Sequence, residues 1–258
     1  MSVIALLTDF GTADYYVGAM KGVILSINSV ARVVDITHEV SPQDIASASF
    51  ILRACYGNFP QKTIFVAIVD PGVGSPRKAI LVETEDYFFI APDNGLLSFV
   101  FNEKKIFRVF ELTNEKFFLP RFSSTFHGRD IFAPCAAYLS NGTEPEEFGN
   151  EIKDFVCYQE LKPQTSDENE IEATIINIDR FGNIVTNIKQ ENAPNDFVLS
   201  IDGNIIEKLY EYYSEAIDSE AFMIWGSAGY LEISVFKDSA AKKLAAQTGQ
   251  KIKLLRKS

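Results

Sequence analysis

Four aspartates in the first hundred residues follow apolar segments, each close to the point where a predicted strand ends. They are Asp9, Asp35, Asp70 and Asp93. In a parallel α/β sheet, ligands bind at the carboxyl ends of the strands. A turn or helix cap explains a single aspartate better, but for four at one edge that explanation and a ligand site are about equally supported. We expect Asp35 and Asp93 to be structural, which leaves Asp9 and Asp70 as candidates for chemistry.

The loop that begins at Asp70 is rich in glycine, with the sequence Asp-Pro-Gly-Val-Gly. It lacks the Gly-Lys-Ser/Thr of a phosphate-binding loop. Its glycines are therefore expected to allow a tight turn and a close approach of the backbone to a ligand. Arg77 lies seven residues after Asp70, near enough in sequence to fold back and form a charge-assisted hydrogen bond.

The chain has only two histidines, His38 and His127, so imidazole chemistry must use one of them. His127 stands between Phe126, which can stack or pack, and Gly128, which allows close backbone approach. An exposed histidine at a helix entry capped by Asp130 is the simpler alternative. His38 also follows a predicted strand, and motif density does not decide between the two. Their spacing from the acids matches no compact zinc pattern, so no metal is expected.

Two turns in the last third of the chain could contact a planar ligand. Phe181 and Asn183 flank a glycine, and an aromatic face beside an amide suits a heterocycle such as adenine. A plain Gly-Asn turn is an equally good interpretation. The segment from Trp225 to Tyr230 is either a hairpin turn or a ligand loop.

The elements that must position these residues change character near residue 160. Before it, apolar strands alternate with helical segments, which predicts an α/β domain, Rossmann-like with a largely parallel sheet, over residues 1–160. Residues 161–170 are polar and lack periodicity, which predicts a linker. Short alternating strands over 171–258 predict a small all-β sandwich or barrel.

Composition excludes several classes of protein. The 258 residues include 24 Lys and Arg against 35 Asp and Glu, a net charge of −11, which argues against nucleic-acid binding. Hydrophobic residues make up 47% and charged residues 23%, as in globular domains rather than disordered chains or coiled coils. Three cysteines without a CxxC pair, and an N-terminus without a basic or membrane-spanning segment, predict a cytoplasmic protein that does not enter a membrane.

Taken in order, the motifs resemble those of the S-adenosyl-L-methionine (SAM) hydroxide adenosyltransferases, the SAM hydrolases related to fluorinase and chlorinase. The resemblance covers nearly the whole chain, and the ordered set is far more specific than any single motif. The segments that carry it are Thr8-Asp-Phe-Gly-Thr, Asp14-Tyr-Tyr-Val-Gly, Val34-Asp-Ile-Thr-His, Val69-Asp-Pro-Gly-Val-Gly, Ala91-Pro-Asp-Asn-Gly, Thr125-Phe-His-Gly-Arg-Asp and Asp179-Arg-Phe-Gly-Asn.

The resemblance implies an α/β domain followed by a small β-barrel-like domain, in a homotrimer whose active sites lie between subunits. It implies that SAM, as a substrate and without a cofactor, reacts with water to give adenosine and L-methionine. The family's catalytic set falls on Asp70, Arg77 and His127. The halogenating relatives lack this set and often have Ser after the histidine, where Gly128 stands here, so the hydrolase branch is favoured.

The resemblance also implies where SAM binds. The ribose-diol carboxylate falls on Asp9, and the methionine end falls on Asp14 and Ser227. The Ser-Arg pair of the halogenases is Ser227-Ala228 here, and Gln43 replaces their tryptophan beside the ribose. Together with Phe126 and Gly128, the remaining expected substrate contacts are Phe181, Asn183, Tyr213 and main-chain atoms near Val235 and Lys237.

Other functions stay open at this point. One is a halide-using SAM enzyme, and another is a non-catalytic adenosine- or SAM-binding sensor. A metal-dependent phosphohydrolase is a more distant alternative.

Overall fold

The structure is a computed structural model that describes residues 3–103, 106–120, 124–159, 162–167 and 169–257. The chain divides into two compact units, residues 1–160 and 161–258. Within the described residues, no helix combines the length and the apolar character needed to span a bilayer.

The first unit is built around a six-stranded sheet in the order β2-β1-β3-β5-β4-β6. Strands β2, β1, β3 and β5 are parallel to one another, and β4 runs antiparallel to both of its neighbours. The prediction of a largely parallel sheet is confirmed. The strands are β1 (Val3–Thr8), β2 (Arg32–Thr37), β3 (Ile64–Ile68), β4 (Ala79–Thr84), β5 (Phe88–Pro92) and β6 (Ile106–Glu111).

Helices cover both faces of this sheet. Helices α1 (Tyr16–Ile27) and α4 (Ala133–Ser140) pack on one face, and α2 (Ile45–Cys55) and α3 (Ser98–Glu103) pack on the other. Successive side chains of a strand point to opposite faces, so a strand buried on both sides is apolar throughout. This explains why the apolar runs predicted the central strands well.

Helix α2 begins later than the sequence suggests. Ser41-Pro42 resembles a helix start, but the helix begins at Ile45, and the Asp44 side chain accepts a hydrogen bond from Ser47 N at 2.9 Å. Gln43 has a φ of +67°, a left-handed conformation that a right-handed helix cannot include. Asp44 is therefore the N-cap residue.

A wider, π-type turn over Gly128–Phe132 leads into α4, with the Ala133 N–H donating to the Gly128 carbonyl five residues earlier. Pro134 has no N–H with which to bond the Asp130 carbonyl, as an α-helix would require. That carbonyl instead accepts a hydrogen bond from Leu119 N at 3.0 Å. Turns of this kind are frequent at functional sites, and His127 immediately precedes this one.

The second unit is a curled, mostly antiparallel sheet that forms a half-barrel, in the order β11-β10-β15-β8-β9-β14-β13-β12, with β7 paired to β8. Its core comes from inward-facing aliphatic side chains of the alternating strands. A short helix, α5 (Ala240–Lys243), follows β14. The strands are β7 (Gln164–Asp167), β8 (Glu170–Ile178), β9 (Ile184–Lys189), β10 (Phe197–Ile201), β11 (Asn204–Ile206), β12 (Leu209–Tyr210), β13 (Ala221–Trp225), β14 (Tyr230–Val235) and β15 (Lys251–Arg256).

The segment predicted as a linker, residues 161–170, contains a strand instead. Gln164–Asp167 pairs antiparallel with β8, and β8 already begins at Glu170. All four residues of this edge strand are exposed. The backbone makes the pairing, so the sequence carries no alternation of apolar residues that would reveal a strand.

Candidate active site

Asp70 and Arg77 form a nearly buried ion pair at the carboxyl end of β3. Arg77 Nε donates to Asp70 Oδ1 at 2.9 Å, and Arg77 Nη2 donates to Asp70 Oδ2. The side chains are 5% and 10% exposed for Asp70 and Arg77. Asn94, after β5, donates to the Val69 carbonyl at 2.8 Å and so holds the end of β3. The two-point contact fixes the orientation of the carboxylate.

His127 joins this pair through the guanidinium. Arg77 Nη2 lies 2.8 Å from His127 Nδ1. A guanidinium has donors only, so Nδ1 must be the acceptor, and the neutral imidazole then has its proton on Nε2. The Arg77 guanidinium also lies over the Phe132 ring, 5.4 Å from its centroid. The three predicted catalytic residues therefore form one connected network.

Two glycines shape the loop between Asp70 and Arg77. A Cβ on Gly72 would lie 3.3 Å from Ser75 Oγ and 3.7 Å from Arg77 Cγ. Gly74 has a φ of +81°, and a Cβ there would lie 3.2 Å from the Ser124 carbonyl. These glycines let the loop turn tightly enough for Arg77 to fold back, as the sequence predicted.

Phe126 and Gly128 lie in packed apolar surroundings. Phe126 is 7% exposed, and its ring contacts those of Phe10 and Tyr16 edge-on at 5.9 and 5.1 Å. A Cβ on Gly128 would lie 3.1 Å from the Phe126 ring and 3.3 Å from Met20 Sδ. These contacts support the backbone on both sides of His127, and the expected substrate contacts of the two residues stay predictions.

Asp130 is not the helix cap that the simpler alternative expects. Its side chain is fully buried and accepts a hydrogen bond from Arg129 Nε at 2.6 Å. His127 is half-buried. The simpler explanation of this segment therefore does not describe the fold.

Three further aspartates that the sequence singles out differ in their surroundings. Asp9 Oδ2 accepts a hydrogen bond from Gln43 N at 2.8 Å, and Asp14 is exposed just before α1. Asp93 accepts from Val156 N at 2.8 Å, and burial raises the pKa of its carboxyl. Asp93 thus ties two segments together, as expected of a structural residue.

In the second unit, one aspartate shapes the turn between β8 and β9. The Asp179 carboxylate accepts hydrogen bonds from Phe181 N at 2.9 Å and from Asn183 N at 2.8 Å. The Asn183 side-chain amide also donates to it at 2.9 Å. The Phe181 ring is 79% exposed. The turn therefore presents an aromatic face without help from core packing.

Tyr213 is paired with an acid that sequence reasoning missed. Its hydroxyl donates to Glu232 Oε2 at 3.0 Å. Partial burial and the neighbouring Glu232 carboxylate raise the pKa of Tyr213 to about 12, and burial also raises the pKa of Glu232. Glu232 lies against Gly226, where a Cβ would collide with its carboxylate. The strand pattern gave no signal for this pair, because Glu232 falls at an ordinary polar position of β14.

The other predicted contacts of the second unit are dispersed. Ser227 is exposed in the turn before β14, and Val235 is buried at the end of that strand. Lys237 has a φ of +54°, and its Nζ lies over the Phe236 ring at 5.0 Å. Across the described residues, no group of three or more His, Cys, Asp or Glu side chains is arranged to hold a metal ion.

Comparison with known protein families identifies the family of this chain. Residues 4–149 match the SAM hydroxide adenosyltransferase N-terminal domain, and residues 173–253 match the C-terminal domain of the same family. The chain belongs to the SAM hydroxide adenosyltransferase family. The match covers both units, so the β-barrel-like unit is part of the family's architecture.

Relatives of this chain carry the names of both the hydrolase and the fluorinase. The chain is 37% identical to a protein of Methanocaldococcus jannaschii named (R)-S-adenosyl-L-methionine hydrolase, over 95% of this chain and 92% of that protein. A Thermus thermophilus protein of the same name is 32% identical, over 99% and 100%. A fluorinase of an Actinoplanes species is 28% identical, over 72% and 71%.

A solved structure shares the fold. The crystal structure of an uncharacterized conserved protein from Thermotoga maritima superposes with a TM-score of 0.90 at 34% identity. The alignment covers 98% of this chain and all of that one.

Proposed function

We propose that this protein hydrolyses SAM at C5′ of the ribose, giving adenosine and L-methionine. The observation that carries the proposal is the connected network of Asp70, Arg77 and His127 in a family member with hydrolase-named relatives. A nearly buried carboxylate and guanidinium, with a half-buried imidazole joined to them through Arg77, suit the positioning of one water molecule.

The proposed reaction is a single displacement. The water oxygen bonds to C5′, the C5′–S bond breaks, and its electron pair remains on sulfur as the neutral thioether of methionine. The water loses one proton and becomes the 5′-hydroxyl of adenosine. The sulfonium loses its positive charge in the transition state, so a water-poor site favours the reaction. Holding the oxygen in line behind C5′ adds a proximity contribution of several kcal/mol.

Each residue of the network has a distinct role in this proposal. Because His127 Nδ1 accepts from Arg77, its Nε2–H is the group that would donate to the water oxygen. Asp70 then accepts the proton that the water loses. Arg77 holds both partners and, as a nearby positive charge, favours the hydroxide-like oxygen that develops.

The substrate contacts are proposed from the family resemblance. Asp9 would bind the ribose diol, and Asp14 and Ser227 the methionine end. The exposed ring of Phe181 would stack on adenine, with Tyr213 beside it. Asn183 and the main chain near Val235 and Lys237 would bind the edge of the base.

We further propose a homotrimer with sites at subunit interfaces, and light scattering should give three times the chain mass. The cytoplasmic location stays a prediction.

The test is incubation of the purified protein with SAM, followed by chromatography. Adenosine and methionine should appear in equal amounts, and water enriched in ¹⁸O should label the adenosine 5′-oxygen. A halogenated adenosine on adding chloride or fluoride would indicate a halide-using enzyme instead. Binding in calorimetry without turnover would indicate a sensor, and loss of turnover in EDTA would indicate a metal enzyme. No adenosine above a heat-inactivated control would contradict the proposal.

A further inference from the structure

The second histidine, His38, lies in a buried polar pair that the proposed reaction leaves without a role. It is 4% exposed just after β2, beside the fully buried Thr8 at the end of β1. Thr8 Oγ1 and His38 Nδ1 are 2.8 Å apart. A hydrogen-bonded polar pair in an apolar core offers less stability than packed aliphatic side chains, so its contacts point to a role in positioning.

Asp35 fixes the far side of the imidazole. His38 Nε2 lies 3.1 Å from Asp35 Oδ1, although the two are not aligned for a hydrogen bond, and Lys21 Nζ lies 2.6 Å from Asp35 Oδ2. Burial opposes the charged form of Asp35, but its contacts with Lys21 and His38 outweigh this and lower its pKa. The negative charge of Asp35 favours a ring proton on the nearby Nε2, and Nδ1 of a ring with that proton accepts from the Thr8 hydroxyl.

The Thr8–His38 pair holds the backbone on both sides of Asp9. Phe10 N donates to Thr8 Oγ1 at 3.2 Å, and Gly11 N donates to the His38 carbonyl at 2.7 Å. Gly11 has a φ of +66°, so the chain turns sharply directly after the aspartate.

The segment that follows His38 also aims the Asp9 carboxylate. Gln43 N donates to Asp9 Oδ2 at 2.8 Å. Gln43 is itself held in a left-handed conformation, which is unfavourable for a residue other than glycine. The main chain and the side chain of Asp9 are therefore both held by residues 38–43.

We propose that His38 is a positioning residue that, through Thr8, holds the Asp9 carboxylate in the orientation that binds the substrate ribose. The inference rests on the proposed function, since it assigns His38 to the site that Asp9 forms. Without the imidazole, the Thr8 hydroxyl loses its acceptor and keeps only the hydrogen bond from Phe10 N, so the turn over residues 8–11 loosens. Errors of about 1 Å in such a group are enough to weaken binding strongly.

The test is a double-mutant cycle between His38 and Asp9. His38→Leu should lower kcat/KM for SAM by about tenfold, chiefly through KM, a size common for groups in one network. In an Asp9→Ala background, the same change should have little further effect. His38→Asn, whose amide can bond the Thr8 hydroxyl, should recover part of the loss. An equal loss from His38→Leu in both backgrounds would overturn the proposal.

A further variant and a binding measurement keep the test independent of folding and turnover. Thr8→Val replaces the hydroxyl by a methyl group of nearly the same shape. It should lower kcat/KM as His38→Leu does, and only when Asp9 is present. Thermal unfolding of each variant shows whether the fold is kept. Calorimetric titration of the same variants with adenosine measures the coupling between His38 and Asp9 in binding alone, without catalysis. If the unaltered protein binds adenosine but yields no product, the proposed function fails, while coupling in adenosine binding still supports the role of His38. Additive effects on both readouts refute that role.

Discussion

The two regions that are proposed to contact SAM are built on opposite principles. In the first unit, Arg77 links Asp70 to His127, and the Asp70–Arg77 ion pair is nearly buried. In the second unit, the Phe181 ring is mostly exposed, and the turn that presents it is fixed by Asp179.

The difference reflects the energetic cost of each kind of group. A buried charge destabilises the fold by several kcal/mol unless a partner compensates it, so charges must be paired before substrate arrives. An aromatic ring needs no partner, and its exposed face gains free energy when a ligand covers it. The first region is therefore preorganised by contacts among its proposed catalytic side chains, and the second by a carboxylate that fixes the backbone of the turn.

Substitution in the first region should have the largest effect on the rate of adenosine formation. Asp70→Asn removes the negative charge beside Arg77, the proposed proton acceptor, and should lower the rate of adenosine formation about 10²- to 10⁴-fold. The same change should lower the thermal midpoint, since it leaves the guanidinium without its counter-charge. A stopped assay of adenosine release and a thermal melt measure the two effects.

Asp154→Asn is a matched control for that variant. Asp154 pairs with Lys78 at 2.6 Å, but its side chain is 84% exposed. Exposed ion pairs contribute little to stability, so the rate of adenosine formation and the thermal midpoint should hardly change. Equal effects of the two substitutions would show that burial of the Asp70 pair has no functional importance.

Gly128→Ala tests the packing that supports His127. The added Cβ would press on the Phe126 ring and Met20 Sδ, and overpacking of this kind costs about 1–3 kcal/mol. Chemical denaturation should show that loss together with slower turnover. Gly22→Ala in α1 is the control, because a Cβ there meets open space and alanine favours a helix by about 1 kcal/mol. A neutral Gly128→Ala would mean that this segment adjusts freely.

Phe181→Ala tests the second region, where we expect weaker binding of adenosine without a loss of stability. Removing an exposed ring should leave the midpoint unchanged while weakening adenosine binding about tenfold, since stacking contributes about 1–3 kcal/mol per base. Calorimetric titration measures this. Ile217→Ala, at a side chain that is 89% exposed, should change neither quantity. Unchanged adenosine affinity in Phe181→Ala would remove this residue from the proposed site.

The smallest effect concerns the Tyr213–Glu232 pair and pH. Burial raises the pKa of Glu232, so the folded state binds its proton more tightly than the unfolded chain does. The free energy of unfolding should therefore fall as pH rises from about 4.3, the ordinary glutamate value, through the raised pKa. Glu232→Gln should flatten this part of the curve in melts from pH 4 to 8. An unchanged slope would mean that Glu232 titrates normally in the folded protein.

Sequence reasoning succeeded where local pattern and local structure have the same cause. The buried run of β3 and the alternation in β14 predicted those strands, because a strand buried on both faces is apolar throughout and alternation matches the two-residue period of a strand. It failed for β7, where the pairing uses backbone groups and the side chains are all exposed. It also did not identify β15. This last strand of the chain lies between β10 and β8 in the sheet, and both of those strands come much earlier in the sequence. Helix α2 was placed correctly, but its start depended on the conformation of Gln43.

The sequence by itself determined the two-part architecture and, through its ordered motifs, the residues on which catalysis is proposed to depend. Only the tertiary structure decided that Arg77 reaches His127, 50 positions away, that Phe126 lies in the core, and that His38 supports Asp9. Strand and turn patterns arise from interactions between near neighbours. The orientation of a charged side chain depends on distant segments that the fold brings within about 3 Å, the range of a hydrogen bond.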